Sequence, residues 1–369
     1  MSTKRLFYID NLRIFLISLV VLHHLAITYG APGGWYYNES EAHLPEIVPL
    51  SMFVATNQAF FMGMFFFISA FFIPSSLARK GVSKFATDRL VRLGIPTLLF
   101  FFFLNPLTNF IANYFIRGQE PGLLDHILSG KSFGFGPTWF IEALILFTFI
   151  YLIIQYLPGK IKIKFPGTFV ILLIAILIAL AQFTIRIWLP VGWSWGFTNF
   201  QFPHFVQYIV LFSLGIVAWQ NNWLDDIHPP MGMRWFLFSQ LLIFIGFPAL
   251  FILGKAPQNG IEPFTGGLTY QSFMYAIWEQ LVGFSLILGL LGIFKNRFNR
   301  QGKLAKQLSA SAYAVFVFHA PIIVAISALF LHLNLTPWMK FLVLSPVALL
   351  SSFIIAWLVK QVPGLKQIF

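Results

Sequence analysis

Ten stretches of about 18 to 27 residues, almost free of charge, alternate along the chain with short segments that carry most of its Lys, Arg, Asp and Glu. They fall at about 12–30, 51–77, 94–115, 138–157, 167–188, 203–220, 235–254, 270–294, 309–332 and 338–359. Runs of this length are sufficient to cross the hydrocarbon core of a bilayer as α-helices. The run from Phe169 to Ala181, FVILLIAILIALA, is apolar on every face instead of alternating. That excludes the ten-residue alternating strands of a membrane β-barrel and fits a lipid-facing helix. The pattern predicts an all-α, polytopic membrane protein of about ten transmembrane helices. No long linker, internal repeat or low-complexity segment interrupts it, so residues 1–369 read as a single integral membrane domain with no appended soluble catalytic domain.

Composition agrees. Of 369 residues 58% are hydrophobic and only 10% charged, against about a quarter charged in soluble domains. The absence of Cys excludes disulfides, thiol catalysis and Cys-based metal sites. The net charge of +12 would suggest nucleic acid in a soluble chain, but its distribution points elsewhere. Ten spans put both termini on one side, and with that side taken as cytoplasmic 19 of the 24 Lys and Arg fall inside. Only Arg117, Lys131, Arg186, Lys255 and Lys340 fall outside. This is the positive-inside asymmetry of a membrane protein with N-in and C-in termini, so no nucleic-acid partner is expected. The basic start and short apolar core of the first run also resemble a signal peptide, but Asp10 and Arg13 at its edge and the pair His23 and His24 within it favour a retained, functional helix.

Ionisable side chains inside spans are costly and therefore informative. Arg13 and His24 are eleven residues apart, which returns them to within roughly 20° of one helix face with a rise of about 16 Å. Two readings stand side by side: a phosphate-holding Arg below a proton-handling His, or a snorkelling Arg and a His bonded to another helix. His23 points about 100° away and reads as structural. Glu142 in the fourth span, Glu279 in the eighth and His319 in the ninth are further candidates, either lining a site with His24 or cross-linking helices. Arg89 and Arg92, spaced i, i+3 before Pro96, suit a shared polyphosphate or anionic lipid. No P-loop, dinucleotide-binding glycine fingerprint or HExxH occurs, and no metal is expected. From these residues alone, a proton-coupled secondary transporter using the same His and Glu residues is the stronger reading.

Five segments taken in order change that balance. They are Asp10 to His24, with Arg13 and His24 separated by ten residues; the Phe-rich Phe65 to Ile73; Arg79 followed by Arg89 and Arg92; Trp139-Phe140 opening the fourth span; and SAYAVFVFHAP from Ser311 to Pro321. Together they resemble the acyltransferase 3 family of bacterial integral membrane acyltransferases over most of the chain. The resemblance implies an O- or N-acyltransferase of the cytoplasmic (inner) membrane that moves an acyl group, usually acetyl, from cytoplasmic acyl-CoA to a carbohydrate or lipid-linked acceptor. It also implies that His24 is catalytic, as general base or transient acyl carrier, and that Arg13, Arg89 and Arg92 serve the CoA side. Some relatives carry a fused extracytoplasmic esterase-like domain. Without one, this membrane domain must finish the transfer itself or pass the acyl group on. Glu142 or Glu279 would orient the imidazole, and Trp193, Trp195 and Phe197 would stack on a sugar or form a membrane belt.

Overall fold

The computed structural model describes residues 5–39, 47–119, 122–156 and 162–369. Lys4, Glu41, Glu46 and Lys160, which enter the reading of loop charge, lie outside these segments. Among the described residues there is no sheet, only an isolated bridge between Trp195 and Phe200. Within the described residues, ten helices are long and apolar enough to cross a membrane: Phe7–Thr28, Ile47–Lys80, Val82–Ile116, Gly136–Ile154, Thr168–Arg186, Phe202–Gln220, Pro229–Leu253, Tyr270–Arg297, Lys303–Leu329 and Pro337–Val359. The even count brings both ends of the series to one face, termed the terminal face; the opposite one is the distal face. At the terminal face, Asn11 Nδ2 donates to the carbonyls of Phe298 and Arg300 at 2.6 and 2.9 Å, tying the first span to the turn between the eighth and ninth.

Local sequence explains where these helices start, stop and deform. The second and third spans are separated by Gly81 alone, whose φ of 73° lies in the left-handed region that a side chain disfavours. Thr269 and Thr336 cap the eighth and tenth spans by accepting from the backbone N–H of Ser272 and Met339. The third span is not a uniform α-helix. Pro96 and Pro106 cannot donate to the helical ladder, and π-helical turns at Leu90–Gly94, Phe100–Leu104 and Ile111–Ile116 interrupt it.

The first span occupies the middle of the bundle, packed against the second, eighth, ninth and tenth. Inside and outside helices separate by burial. In the eighth span 78% of the apolar window is buried, whereas in the seventh 17% is, so the eighth is interior and the seventh faces lipid. These two approach closely because both present glycine: a Cβ on Gly232 would come within 2.7 Å of Gly292 Cα. Two side chains counted above as outer loop charges are instead internal. Arg186 has 0% of its surface exposed, and Lys340 is buried and ion-paired with Glu39. Each sits at the distal end of a helix, where packing against neighbours supplies a partner that linear charge counting does not see.

Candidate active site

A cavity of about 690 Å³ lies in the distal half of the bundle. The first span contributes His23 and His24, the following loop Trp35 and Tyr36, the second span Gln58, and the third Asn105 and Asn109. Trp139, His204 and Tyr275 close it from the fourth, sixth and eighth spans, and the loop between Val191 and Gln201 forms the rim. The lining is thus rich in aromatic rings and amides, with no Asp or Glu among its described residues.

His24 lies in the last turns of the first span, within a group of nearly parallel rings. Trp35 stacks on it with centroids 3.9 Å apart and planes at 11°, and His319 approaches from the ninth span at 5.2 Å and 19°. His23 is set edge-on at 89° and packs on Phe61. His319 Nδ1 lies 2.6 Å from the Phe316 carbonyl, which can only accept, so Nδ1 carries the proton and Nε2 is bare. That Nε2, the Nδ1 atoms of His23 and His24, and the Trp35 indole N–H are buried without a protein partner. Buried polar atoms are almost always bonded, and four exceptions in one ring cluster mark a place built for something other than packing. The loop carrying Trp35 is fixed by its neighbour: the Tyr36 hydroxyl donates to Asn105, and Arg117 Nη2 donates to the Tyr36 carbonyl at 2.7 Å. Burial pushes the Tyr36 phenol up, so it remains a donor throughout the neutral range.

A second polar unit adjoins the cavity. Arg186 Nη2 donates to Glu279 Oε2 at 2.5 Å, and Glu279 Oε1 lies 3.0 Å from His204 Nδ1. An amide chain continues beside it: Gln280 Nε2 donates to Gln182 at 2.6 Å, and Gln207 Nε2 donates to Gln280 at 3.1 Å. Glu279 is therefore engaged by Arg186 and His204. Glu142 is absent from the described cavity lining, with Oε2 buried and unpartnered. Of the rim aromatics only Phe197 lines the cavity; Trp193 and Trp195 pack on Phe202.

Arg13, Arg89 and Arg92 gather at the terminal face. Arg89 lies within electrostatic range of both others. Arg13 rests over the Phe72 ring at 5.2 Å and reaches Asp10 at 3.7 Å, while the Tyr313 hydroxyl donates to the Arg92 carbonyl at 2.9 Å. The i, i+3 pair runs into the π-helical turn at Leu90–Gly94, so its angular spacing is not that of a regular α-helix. Between Arg13 and His24, the same stripe of the first span carries Leu16, Ile17 and Val20, all at most 2% exposed. Among the described residues no group of three or more His, Cys, Asp or Glu is placed to hold a metal ion.

Three side chains of this region were not singled out from sequence as site residues: Trp35, His204 and Arg186. Trp35 follows two glycines in a loop and His204 stands at the lip of a span, positions that carry no periodic signal. Arg186 reads as an end-of-helix cation until its partners are seen.

A ten-span helical bundle with a buried imidazole cluster facing a distal cavity and three guanidinium groups at the other face is a membrane protein equipped for group chemistry. The chain matches the acyltransferase domain family, acyltransferase 3, over residues 6–357, and belongs to it. Its ten apolar helices make it a multi-pass membrane member of that family. Over 123 residues it is 29% identical to glucans biosynthesis protein C of Escherichia coli strain K12, a stretch covering 32% of this chain and 30% of that protein. The same match is found in the K12 derivatives DH10B and MC4100 / BW2952. The chain thus spans under a third of the length of these curated relatives. No solved structure matches it.

Proposed function

We propose that the protein moves an acyl group, acetyl in the simplest case, from acyl-CoA at the terminal face to a hydroxyl of a glycan held in the distal cavity, with His24 as general base. The terminal face is cytoplasmic in this reading, in the inner membrane, because it carries most of the Lys and Arg. The observation that carries it is the placement of one helix. The first span presents Arg13 to the terminal face and His24 to the cavity, on a single stripe.

The donor phosphates stay at Arg13, Arg89 and Arg92, since guanidinium groups match phosphate oxygens well. The pantetheine arm, on the order of 15 to 20 Å, reaches along the stripe, whose rise is about 16 Å. It passes Leu16, Ile17 and Val20, which must part to admit it. The acceptor hydroxyl then attacks the thioester carbonyl while His24 takes its proton. The carbon–sulfur bond breaks, a carbon–oxygen ester bond forms, and the proton passes from the imidazole to the departing thiolate. Products are the acylated glycan and free CoA. The cavity suits a sugar in chemistry, with aromatic faces at Trp35, Trp139 and Phe197 and amides at Gln58, Asn105 and Asn109. The glucans named for the similar protein make a glucan oligosaccharide the first acceptor to try.

Family membership favours this reading over proton-coupled transport. The test is incubation of the purified chain in nanodiscs with acetyl-labelled CoA, with and without a glucan oligosaccharide. Label appearing on the oligosaccharide supports transfer; acetyl-CoA left intact, with and without oligosaccharide, contradicts it.

A further inference from the structure

We propose that His204, oriented by Glu279 and Arg186, is the acceptor-binding residue of the cavity, sharing a hydrogen bond with an acceptor hydroxyl through its Nε2; this rests on the acyltransferase reading above. The first support is that a buried ion pair takes up one ring nitrogen. His204 Nδ1 lies 3.0 Å from Glu279 Oε1 and 3.1 Å from Arg186 Nη2, and these two side chains are themselves paired at 2.5 Å. Nε2 is the ring nitrogen left outside that group. Partners behind the opposite nitrogen fix the orientation of the ring, as is common wherever an imidazole must present one defined nitrogen.

The second support is position. His204 lines the cavity on the sixth span, whereas the ring cluster of His24 and His319 belongs to the first and ninth. Arg186 Nε donates to the Pro203 carbonyl at 3.3 Å and holds the start of the sixth span against the end of the fifth. Tyr208, one turn on from His204, receives a hydrogen bond from Gln58 Nε2 at 3.1 Å, and Gln58 is itself a lining residue. The ring is thus held from behind and from below.

The third support is the chemistry of the wall. Its described lining contains no carboxylate, and the side-chain N–H groups of Gln58, Asn105 and Asn109 already donate to Tyr208 and to the carbonyls of Ser132 and Asn105. A sugar hydroxyl both donates and accepts, and a neutral imidazole nitrogen can meet it in either role without placing a negative charge in the wall. The buried ion pair behind it adds little net stability. Its consequence for function is a fixed imidazole.

The experiment uses the full chain in nanodiscs, with acetyl-CoA as donor and a short glucan oligosaccharide as acceptor, comparing wild type, His204→Phe and His204→Gln. His204→Phe should raise the oligosaccharide KM by about tenfold or more, equivalent to about 1.4 kcal/mol. The acetyl-CoA KM should stay within about twofold, since the donor contacts lie elsewhere. Gln places an amide that can donate or accept near the former Nε2, so His204→Gln should stay within about threefold of wild type for the oligosaccharide. A donor-free titration of the oligosaccharide by tryptophan fluorescence should give the same order of affinities. An oligosaccharide KM unchanged in His204→Phe, a parallel rise of both KM values in both variants, or a wild type that binds no oligosaccharide would each overturn the assignment. Binding that depends on His204 without any transfer would instead contradict the acyltransferase reading and leave the binding site standing.

Discussion

Trp35 lies flat on His24, with ring centroids 3.9 Å apart and planes 11° from parallel, so the imidazole proposed to handle the transferred proton is covered by an indole from a loop. Such a cover keeps water from a reactive thioester until the acceptor is in place. Trp35→Ala should therefore uncouple the reaction, raising the ratio of CoA released to ester formed, while Trp35→Phe should preserve most coupling. Parallel assays of free thiol and of esterified glycan measure that ratio. An unchanged ratio in Trp35→Ala would mean that the indole does not exclude water.

The buried pair of Arg186 and Glu279 gives a stability prediction. Arg186→Ala leaves a carboxylate with 1% of its side chain exposed and without its counter-charge, and should destabilise the protein by about 3 to 5 kcal/mol. The double variant Arg186→Met with Glu279→Leu should recover much of that loss, because it removes the charge as well as its partner. Thermal unfolding in detergent compares the two. A double variant no more stable than the single one would show that the pair supports the fold by its geometry more than by neutralising charge.

The anion site predicts a selective loss. Arg89→Ala or Arg92→Ala should weaken acyl-CoA binding by roughly 1.5 to 3 kcal/mol, the size of a hydrogen bond to a charged group. Lys at either position should restore only part of it, since an ammonium lacks the planar fork. Isothermal titration with a non-hydrolysable acyl-CoA analogue measures this directly; unaltered affinity in the double Ala variant would assign both residues to lipid contact.

Topology is testable because the chain has no Cys background. Single Cys residues placed at Asn199 and at Lys303 should react differently with an impermeant thiol reagent applied to intact cells. Asn199 belongs to the distal rim and should label; Lys303 starts the ninth span at the terminal face and should not. Labelling of Lys303 from outside would reverse the assignment of faces.

The ten spans were legible in sequence because bilayer thickness fixes helix length, and their bounds shifted mainly where a helix runs past the hydrocarbon. The first span begins at Phe7 and the ninth at Lys303, each extending a charged end beyond the apolar run. The π-helical turns of the third span were not legible, although its prolines were, since proline marks an irregularity without saying how the chain relieves it. The eleven-residue interval from Arg13 to His24 named two residues of one stripe. It could not show that Leu16, Ile17 and Val20 fill the stripe between them. Glu279 was visible as a buried acid, but its partners lie on the fifth and sixth spans, 93 and 75 residues away in sequence. Pairings between spans are set by packing, and a single sequence carries no period that reports them.

The central claim is that His24 performs the transfer and His23 does not, although the two are adjacent and both line the cavity. The most direct measurement is the rate of labelled acetyl transfer to oligosaccharide by His24→Ala and His23→Ala, each checked for insertion and acyl-CoA binding. Transfer should be abolished in His24→Ala with donor binding retained, as for a group that acts on the transition state, and His23→Ala should keep most of its activity. Near-normal transfer by His24→Ala, or loss confined to His23→Ala, would contradict it.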